Sequence, residues 1–360
     1  MNKSIPKVSV VMSVYNGAHY LQKSVDSILG QTFTDFEFII IDDGSTDDTW
    51  QMLLEYANRD PRLKPFQNAE NLGLTKTLNR GLKLARGEYI ARLDADDRSF
   101  PERLEQQVTY LQSHPSVALV STGVQYVDPE GRELRIDIPP TNLTVLRWEF
   151  LFRNPLRHPT VMWRRELVQD KVGYYDPNFV CTQDYDFWVR ISETSNIATI
   201  PSVLVQMSWH NQSISSKKAE MQDALGTKVI YRQIKRYFPD EKLGEKDIAN
   251  LRLMSRRKDA LQLEYFDNLD ASSFQQASNL YLLLWKRFCA IENIKEKDLA
   301  WQAIRQEVEQ NVVELLGHCK VKRWFFSGSK LLKKYLSYCP ERTFALLSII
   351  LKRLIPKKVF

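Results

Sequence analysis

The run Phe36–Ile41, FEFIII, is almost wholly apolar and stops abruptly at Asp42-Asp43-Gly44-Ser45. A strand with no polar face must be covered on both sides, as interior strands of a parallel sheet are. Val8–Val14 (VSVVMSV) and Tyr89–Leu93 (YIARL) are runs of the same kind, ending at Tyr15-Asn16-Gly17 and at Asp94-Ala95-Asp96-Asp97. Helical spacings separate them: Tyr20, Leu21, Val25, Ile28 and Leu29 before a stop at Gly30, then Trp50, Leu53, Leu54 and Ala57, then Leu74, Leu78, Leu82 and Ala85. Ser45 or Thr46 is expected to cap the second helix. Leu63–Phe66 reads as a weaker strand, and Phe100-Pro101-Glu102 as the start of a further helix. Val117–Val127 and Ala198–Trp209 are later strands, with the Pro- and Gly-bearing stretch Asp128–Pro140 between elements. After about residue 215 the composition turns to long helical stretches such as Ser272–Ile294. The expectation is an α/β fold: a Rossmann-like, mostly parallel central sheet flanked by helices, with a mainly α-helical C-terminal region.

In such sheets ligands bind beyond the carboxyl ends of the strands. Asn16, Asp42, Asp43 and Asp94–Asp97 all fall there. Three carboxylates within Asp94–Asp97 repel one another, and a cation, a phosphate-bound metal or protonation relieves the repulsion. Alone, such a cluster is as readily a solvated acidic turn, and Asp42-Asp43-Gly44-Ser45 as readily a strand-to-helix turn. Their recurrence at two strand ends favours a site. Asp94 and Asp96 suit Mg²⁺ or Mn²⁺, hard cations that take carboxylate, water and substrate phosphate oxygens. Asp97 reads as a helix-start acid before Phe100. Asp184, in TQDYDFW, is the candidate general base, because neighbouring Tyr185, Phe187 and Trp188 would raise its proton affinity by desolvation. The alternative makes Tyr185, Trp188 and Val189 core and Asp184 a helix cap. His158, just before Pro159, is either structural or an acceptor-side group. His210, ending the last strand, is a metal ligand, a phosphate contact or structural.

The 360 residues, 43% apolar, allow two domains. Cys181, Cys289, Cys319 and Cys339 form no CxxC pair, so reduced thiols in a cytoplasmic setting are expected. No secretory leader is read at the N-terminus, and no apolar stretch approaches the roughly 20 residues of a membrane span. The net charge of +6 is uneven: residues 320–360 carry 11 Lys or Arg against Glu341 alone, a net of +10, and the rest is mildly acidic. That tail mixes its cations with Trp324-Phe325-Phe326, Leu331-Leu332, Tyr335 and Phe344–Leu351, the composition of a helix lying on an anionic membrane surface. A helical subdomain with a solvated basic face is the plainer alternative. Nucleic acid is not expected as a partner, since no recognition motif accompanies the charge. The expected divisions are 1–215, a catalytic domain; 216–319, a helical accessory region; and 320–360, the tail.

In order and spacing, VSVVMSVYNG, FEFIIIDDGSTDDT, NLGLTKTLNRGLKLARGEYIARLDADD and TQDYDFW resemble the family 2 glycosyltransferases of GT-A fold, over about residues 5–215. The resemblance implies that Tyr15, Asn16, Asp42, Asp43 and Asn71 bind the nucleotide-sugar. It implies too that Asp94 and Asp96 hold ribose and a divalent metal, and that Asp184 deprotonates the acceptor hydroxyl. Gln183 stands where family members often have Glu, and Met-Ser-Trp precedes His210 where an aromatic-Arg pattern is frequent. The QxxRW motif of processive synthases is not evident. The expected activity is therefore inverting transfer of one sugar from a UDP-sugar to a lipid-linked or growing surface glycan, at the inner face of the cell membrane. A sugar-nucleotide-forming nucleotidyltransferase and a non-catalytic nucleotide-sugar binder are the rival readings.

Overall fold

The computed structural model describes residues 5–209, 219–255, 271–296, 298–321 and 325–339. The chain divides into two compact units, one of residues 1–146 and 154–226, the other of residues 147–153 and 227–360.

The first unit begins β1 (Val8–Val14), α1 (Ala18–Leu29), β2 (Phe36–Asp42), α2 (Thr49–Arg59), β3 (Leu63–Gln67), α3 (Leu74–Leu84) and β4 (Tyr89–Arg92). It continues with β5 (Arg98–Ser99), α4 (Arg103–Ser113), β6 (Val117–Val127), β7 (Glu133–Asp137), α5 (Leu143–Phe150), a 3₁₀ turn at His158–Thr160, β8 (Met162–Arg164), α6 (Arg165–Lys171), α7 (Gln183–Thr194) and β9 (Asn196–Ser208). One sheet runs in the order β3-β2-β1-β4-β8-β6-β9-β5, with β7 paired to β6. The ladders from β3 to β4 are parallel, as is β6 with β9. β8 inserts antiparallel between β4 and β6, and β5 and β7 are antiparallel additions. The sheet is thus α/β and mixed, parallel in its longer ladders and flanked by helices.

Every residue of β2 is buried, as its composition requires. Its inner acid, Glu37, has a definite task. Ser9 Oγ donates to Glu37 Oε1 at 2.7 Å, and the Arg86 amide and guanidinium reach the two carboxylate oxygens at 2.9 Å each. Ser9 Oγ in turn accepts the Gly87 amide at 2.8 Å. The three central strands are tied together where they enter the sheet. Gly87 is obligatory there, because a Cβ would stand 2.5 Å from the Ser9 nitrogen.

Two local expectations change. α2 begins at Thr49, and Asp47 Oδ1 takes the Thr49 amide at 3.1 Å, while Ser45 and Thr46 turn to Asn16 instead of capping. Glu133–Asp137, within a stretch whose Pro and Gly content suggests loop, is a strand because it returns along β6 as a hairpin.

The second unit is helical: the C-terminal part of α5, then α8 (Ala219–Tyr237, from residue 227), α9 (Glu245–Ser255), α10 (Ala271–Ile291), α11 (Leu299–Val321) and α12 (Phe325–Tyr338). Trp148 packs against Phe152, Tyr281 and Phe288 with ring centroids 4.8–5.7 Å apart. Arg153 joins Glu149 and Glu307 at 2.8 and 3.0 Å. Among the described residues no helix is long and apolar enough to cross a membrane, and Cys181, Cys289 and Cys339 are free thiols.

Replacing Glu37 by Ala strands the Arg86 amide and Ser9 hydroxyl inside the sheet. Hydrogen bonds to charged groups contribute about 1.5–3 kcal/mol each, so Glu37→Ala is expected to cost about 2–3 kcal/mol, read as a lower urea midpoint at constant slope. An unchanged midpoint would contradict this account of β2.

Candidate active site

β1 lies between β2 and β4, with Val14 paired to Asp42 and Val11 to Arg92. Strands are spaced about 4.8 Å apart, so the acids after β2 and β4 flank the end of β1 about 10 Å from each other. That end is Tyr15-Asn16. Tyr15 is half exposed, and Asn16 holds a left-handed backbone at φ 49°. Asn16 keeps that conformation through two bonds: its amide donates to Ser45 Oγ at 2.8 Å, and its Oδ1 accepts the Thr46 amide at 2.8 Å. Strain held by surrounding bonds is frequent at functional sites.

Asp42 and Asp43 are both buried, and they divide the work. Asp42 accepts the Ser45 amide at 3.1 Å and the Gln67 side-chain amide at 2.9 Å. Asp43 Oδ1 accepts from Asn68 Nδ2, Thr77 Oγ1 and the Leu72 amide at 2.6, 2.6 and 2.9 Å, and its Oδ2 accepts the Gly73 amide at 2.9 Å. Asp43 thus shapes the segment 68–77, which carries exposed Asn71, into a wall beside the strand end. Gly44, at φ +74°, lets that wall approach: a Cβ there would come within 2.7 Å of the Glu70 carbonyl carbon.

The turn after β4 is pinned from both sides. Ser24 Oγ on α1 reaches the Ala95 carbonyl at 2.7 Å, and Ser208 Oγ at the end of β9 reaches the Asp96 carbonyl at 2.8 Å. Asp97 is not a helix-start acid, since α4 begins only at Arg103. It is buried and accepts the Ser208 amide at 3.1 Å. Burial, then the charges of Asp96 and Asp94, push its proton affinity well up. Asp94 Oδ1 takes a 2.5 Å bond from Arg92, whose guanidinium is fully buried. Asp96 stays part-exposed beside them.

His158 stands behind this turn, nearly enclosed. Arg92 Nε can only donate, and at 3.1 Å from His158 Nε2 it makes that nitrogen the acceptor. The other ring nitrogen, Nδ1, lies 3.5 Å from both Asp94 Oδ1 and Arg92 Nη2. Burial and Arg92 push the imidazole down to about 3, so it is neutral. The Tyr175 hydroxyl lies 3.0 Å from His158 Nε2. His158 therefore buttresses Asp94 from within.

Asp184 occupies the first turn of α7, just after Thr182, whose left-handed φ of 67° is unusual for a β-branched residue. Tyr185, Phe187, Trp188 and Val189 are indeed buried, so the core and the carboxylate coexist on one helix. Burial raises Asp184 to about 6; the Tyr185 amide and Arg157 oppose the rise, and Asp94 adds to it. That mutual effect places Asp184 within electrostatic reach of the β4 turn. Asn154 Nδ2 donates to its Oδ2 at 2.8 Å.

The structure thus gathers Tyr15, Asn16, Asp42, Asp43, Asn71, Asp94 and Asp96 along the strand ends, with Asp184 near Asp94. His210 lies outside the described residues, as do 322–324 and 340–360 of the tail. Ser24, Asn154, Tyr175 and Ser208 carry no motif, and only the fold brings them here. Among the described residues no group of three His, Cys, Asp or Glu could by itself hold a metal. The site fits a hard divalent cation held by one or two carboxylates and otherwise by phosphate and water.

Residues 9–170 match the pattern of glycosyl transferase family 2. An uncharacterised glycosyltransferase of Haemophilus influenzae is 30% identical over 65% of this chain and 75% of its own length. The putative glycosyltransferase EpsE of Bacillus subtilis is 38% identical over 52% of this chain and 67% of its own. Among solved structures, TarS of S. aureus in complex with UDP-GlcNAc covers 92% of each chain at a TM-score of 0.56 and 19% identity. The mannosyltransferase PcManGT of Pyrobaculum calidifontis, in complex with GDP-Man and Mn²⁺, covers 92% of this chain and 86% of its own, at 0.51 and 17%. At that identity the likeness is one of fold, the GT-A fold.

Asp43→Asn would turn an NH₂ group toward donors at the wall. Its expected cost is about 2 kcal/mol, seen as a lower urea midpoint together with faster proteolysis within 68–73. Unchanged stability and proteolysis would show that the four bonds do not hold the wall.

Proposed function

The chain belongs to glycosyl transferase family 2, and we propose that it transfers a single sugar, with inversion, from a UDP-sugar to an acceptor hydroxyl. Membership in the family makes it a glycosyltransferase, which displaces the nucleotidyltransferase and non-catalytic alternatives. The reading is carried by Asp184, a carboxyl lifted to about 6 that shares electrostatics with the acids after β4. Such a group is ionised at neutral pH yet retains the basicity to accept a proton.

In this reading the nucleoside lies over Tyr15-Asn16 between Asp42 and the wall that Asp43 builds, with Asn71 on its rim. Asp94, held by Arg92, faces the ribose. Asp96 is the residue that would hold Mn²⁺ or Mg²⁺, which when bound spreads negative charge off the leaving diphosphate. Asp184 takes the proton of the acceptor hydroxyl as its oxygen bonds to the anomeric carbon. The bond to the diphosphate oxygen breaks, and UDP leaves with that electron pair. The complex of a fold neighbour with UDP-GlcNAc supports a nucleotide-sugar donor, and that of another with GDP-Man and Mn²⁺ supports a divalent ion.

The acceptor we propose is a lipid-linked or surface glycan, met at the cytoplasmic face of the cell membrane. The support is the net charge of +10 over residues 320–360, at about 1 kcal/mol per cation near an anionic surface. Removing residues 320–360 is expected to abolish flotation with phosphatidylserine vesicles; equal flotation would reject membrane docking.

Asp184→Asn is expected to reduce transfer by about 10²–10⁴-fold with UDP–Mn²⁺ binding intact, whereas Asp96→Ala weakens that binding. The base works only when ionised. Wild-type transfer should therefore rise with pH through about 6 and be lost as pH falls below it. Transfer by Asp184→Asn at the wild-type rate would reject the assignment.

A further inference from the structure

A short segment outside its own helix, residues 154–157 between α5 and the turn at His158, supplies Asp184 with a hydrogen-bond donor. Asn154 Nδ2 donates to Asp184 Oδ2 at 2.8 Å. The amide cannot be reversed. Its Oδ1 already accepts the Leu156 amide at 3.1 Å, so the NH₂ end must face the carboxylate. Pro155 follows and restricts the Asn154 backbone to extended conformations. The segment is closed behind by the Thr160 amide on the Arg157 carbonyl at 3.0 Å. The donor therefore comes from a stiff segment, independent of α7, where its position does not vary with the helix's first turn.

We propose that Asn154 is a positioning residue for Asp184: it fixes the rotation of the carboxylate and presents Oδ1 to the acceptor hydroxyl. The inference rests on Asp184 being the base. A carboxylate at a helix start can rotate about its last bond, which exchanges its two oxygens. A donor 2.8 Å from Oδ2 holds that oxygen and so fixes where Oδ1 lies. Orientation of this kind from a supporting residue separates a placed base from a merely nearby one. The charged and titratable groups facing the carboxylate are Asp94, Arg157 and Tyr175. Arg157 is committed to Asp137 by a 2.7 Å bond. Asn154 is thus the neutral donor in that surrounding, and it assists ionisation without a charge that would hold the proton-accepting oxygen.

The discriminating variant is Asn154→Asp. It has the same shape and still accepts the Leu156 amide, but it has no N–H for Asp184. In full-length protein carrying ¹³C-labelled aspartate, the Asp184 carboxyl is identified by its absence from Asp184→Asn and titrated by NMR. The expected result is an upward move of its midpoint by about one unit or more in Asn154→Asp, a smaller move in Asn154→Ala, and UDP–Mn²⁺ affinity within about twofold of wild type. A rise of one unit lowers the ionised fraction about twofold at neutral pH and about tenfold well below both midpoints, and transfer should fall by the same factors. The added charge of Asn154→Asp raises the midpoint in any case, so an unmoved midpoint in Asn154→Ala would overturn the proposal, as would loss of UDP binding, and would leave Asn154 a turn-former for Leu156. If Asn154→Asp does not fold, Asn154→Ala gives the same reading. Full transfer by Asp184→Asn would instead remove the base itself, and the positioning role with it.

Discussion

A fully buried arginine sets the terms for the site. Arg92 sits at the last position of β4 with no exposure to water. A desolvated guanidinium has to be met on several sides, and leaving it unpaired costs several kcal/mol, on the order of 3–5. Val11, Leu93, His158 and Asp94 share that work, drawn from β1, the β4 turn and the 3₁₀ turn before β8. The orientation of Asp94 follows from this pairing. A second buried cation, Arg103, lies beside the first, bonded to the Arg92 carbonyl at 2.7 Å and to the Val161 carbonyl at 3.2 Å. Burial and Arg92 push its proton affinity down, and Asp94 and Asp97 push it back up.

The two arginines change the meaning of the acidic cluster. Three carboxylates within four residues look like a site that must have an external cation to exist. Two internal cations already offset most of that charge. Asp97, in the core with its proton affinity raised, belongs to the frame. Asp96 and Asp94 are the acids of the cluster that stay part-exposed. That economy suits a cation which arrives with a diphosphate and takes few ligands from protein.

Much of this was legible in the sequence, for physical reasons. Strands buried on both faces are compositionally plain, so β1, β2, β4 and β6 could be placed almost to the residue. The acids at their ends followed, because parallel strands must present their carboxyl ends together. The helix α7 was visible with two alternative readings, aromatic core or base, and the fold places a buried aromatic face and the Asp184 carboxylate on the same helix. Tertiary placement was not legible. Nothing about Asn154, Ser24 or Ser208 distinguishes them from other polar loop or helix residues until the fold brings them to Asp184 and the β4 turn. Asp43 shows the converse: its motif pointed to ligand contact, and its bonds in the fold go to the wall beside the site. Glu37 and β7 depended on partners distant in sequence, which local pattern cannot carry.

The central claim is that one nucleotide spans the ends of β2, β1 and β4. Hydrogen–deuterium exchange with and without UDP and Mn²⁺ tests it directly. The account predicts slowed exchange in 15–17, 42–46, 68–73 and 94–97, with 183–186 unchanged until an acceptor is added. Protection elsewhere, with 94–97 exchanging as in the free protein, would contradict it.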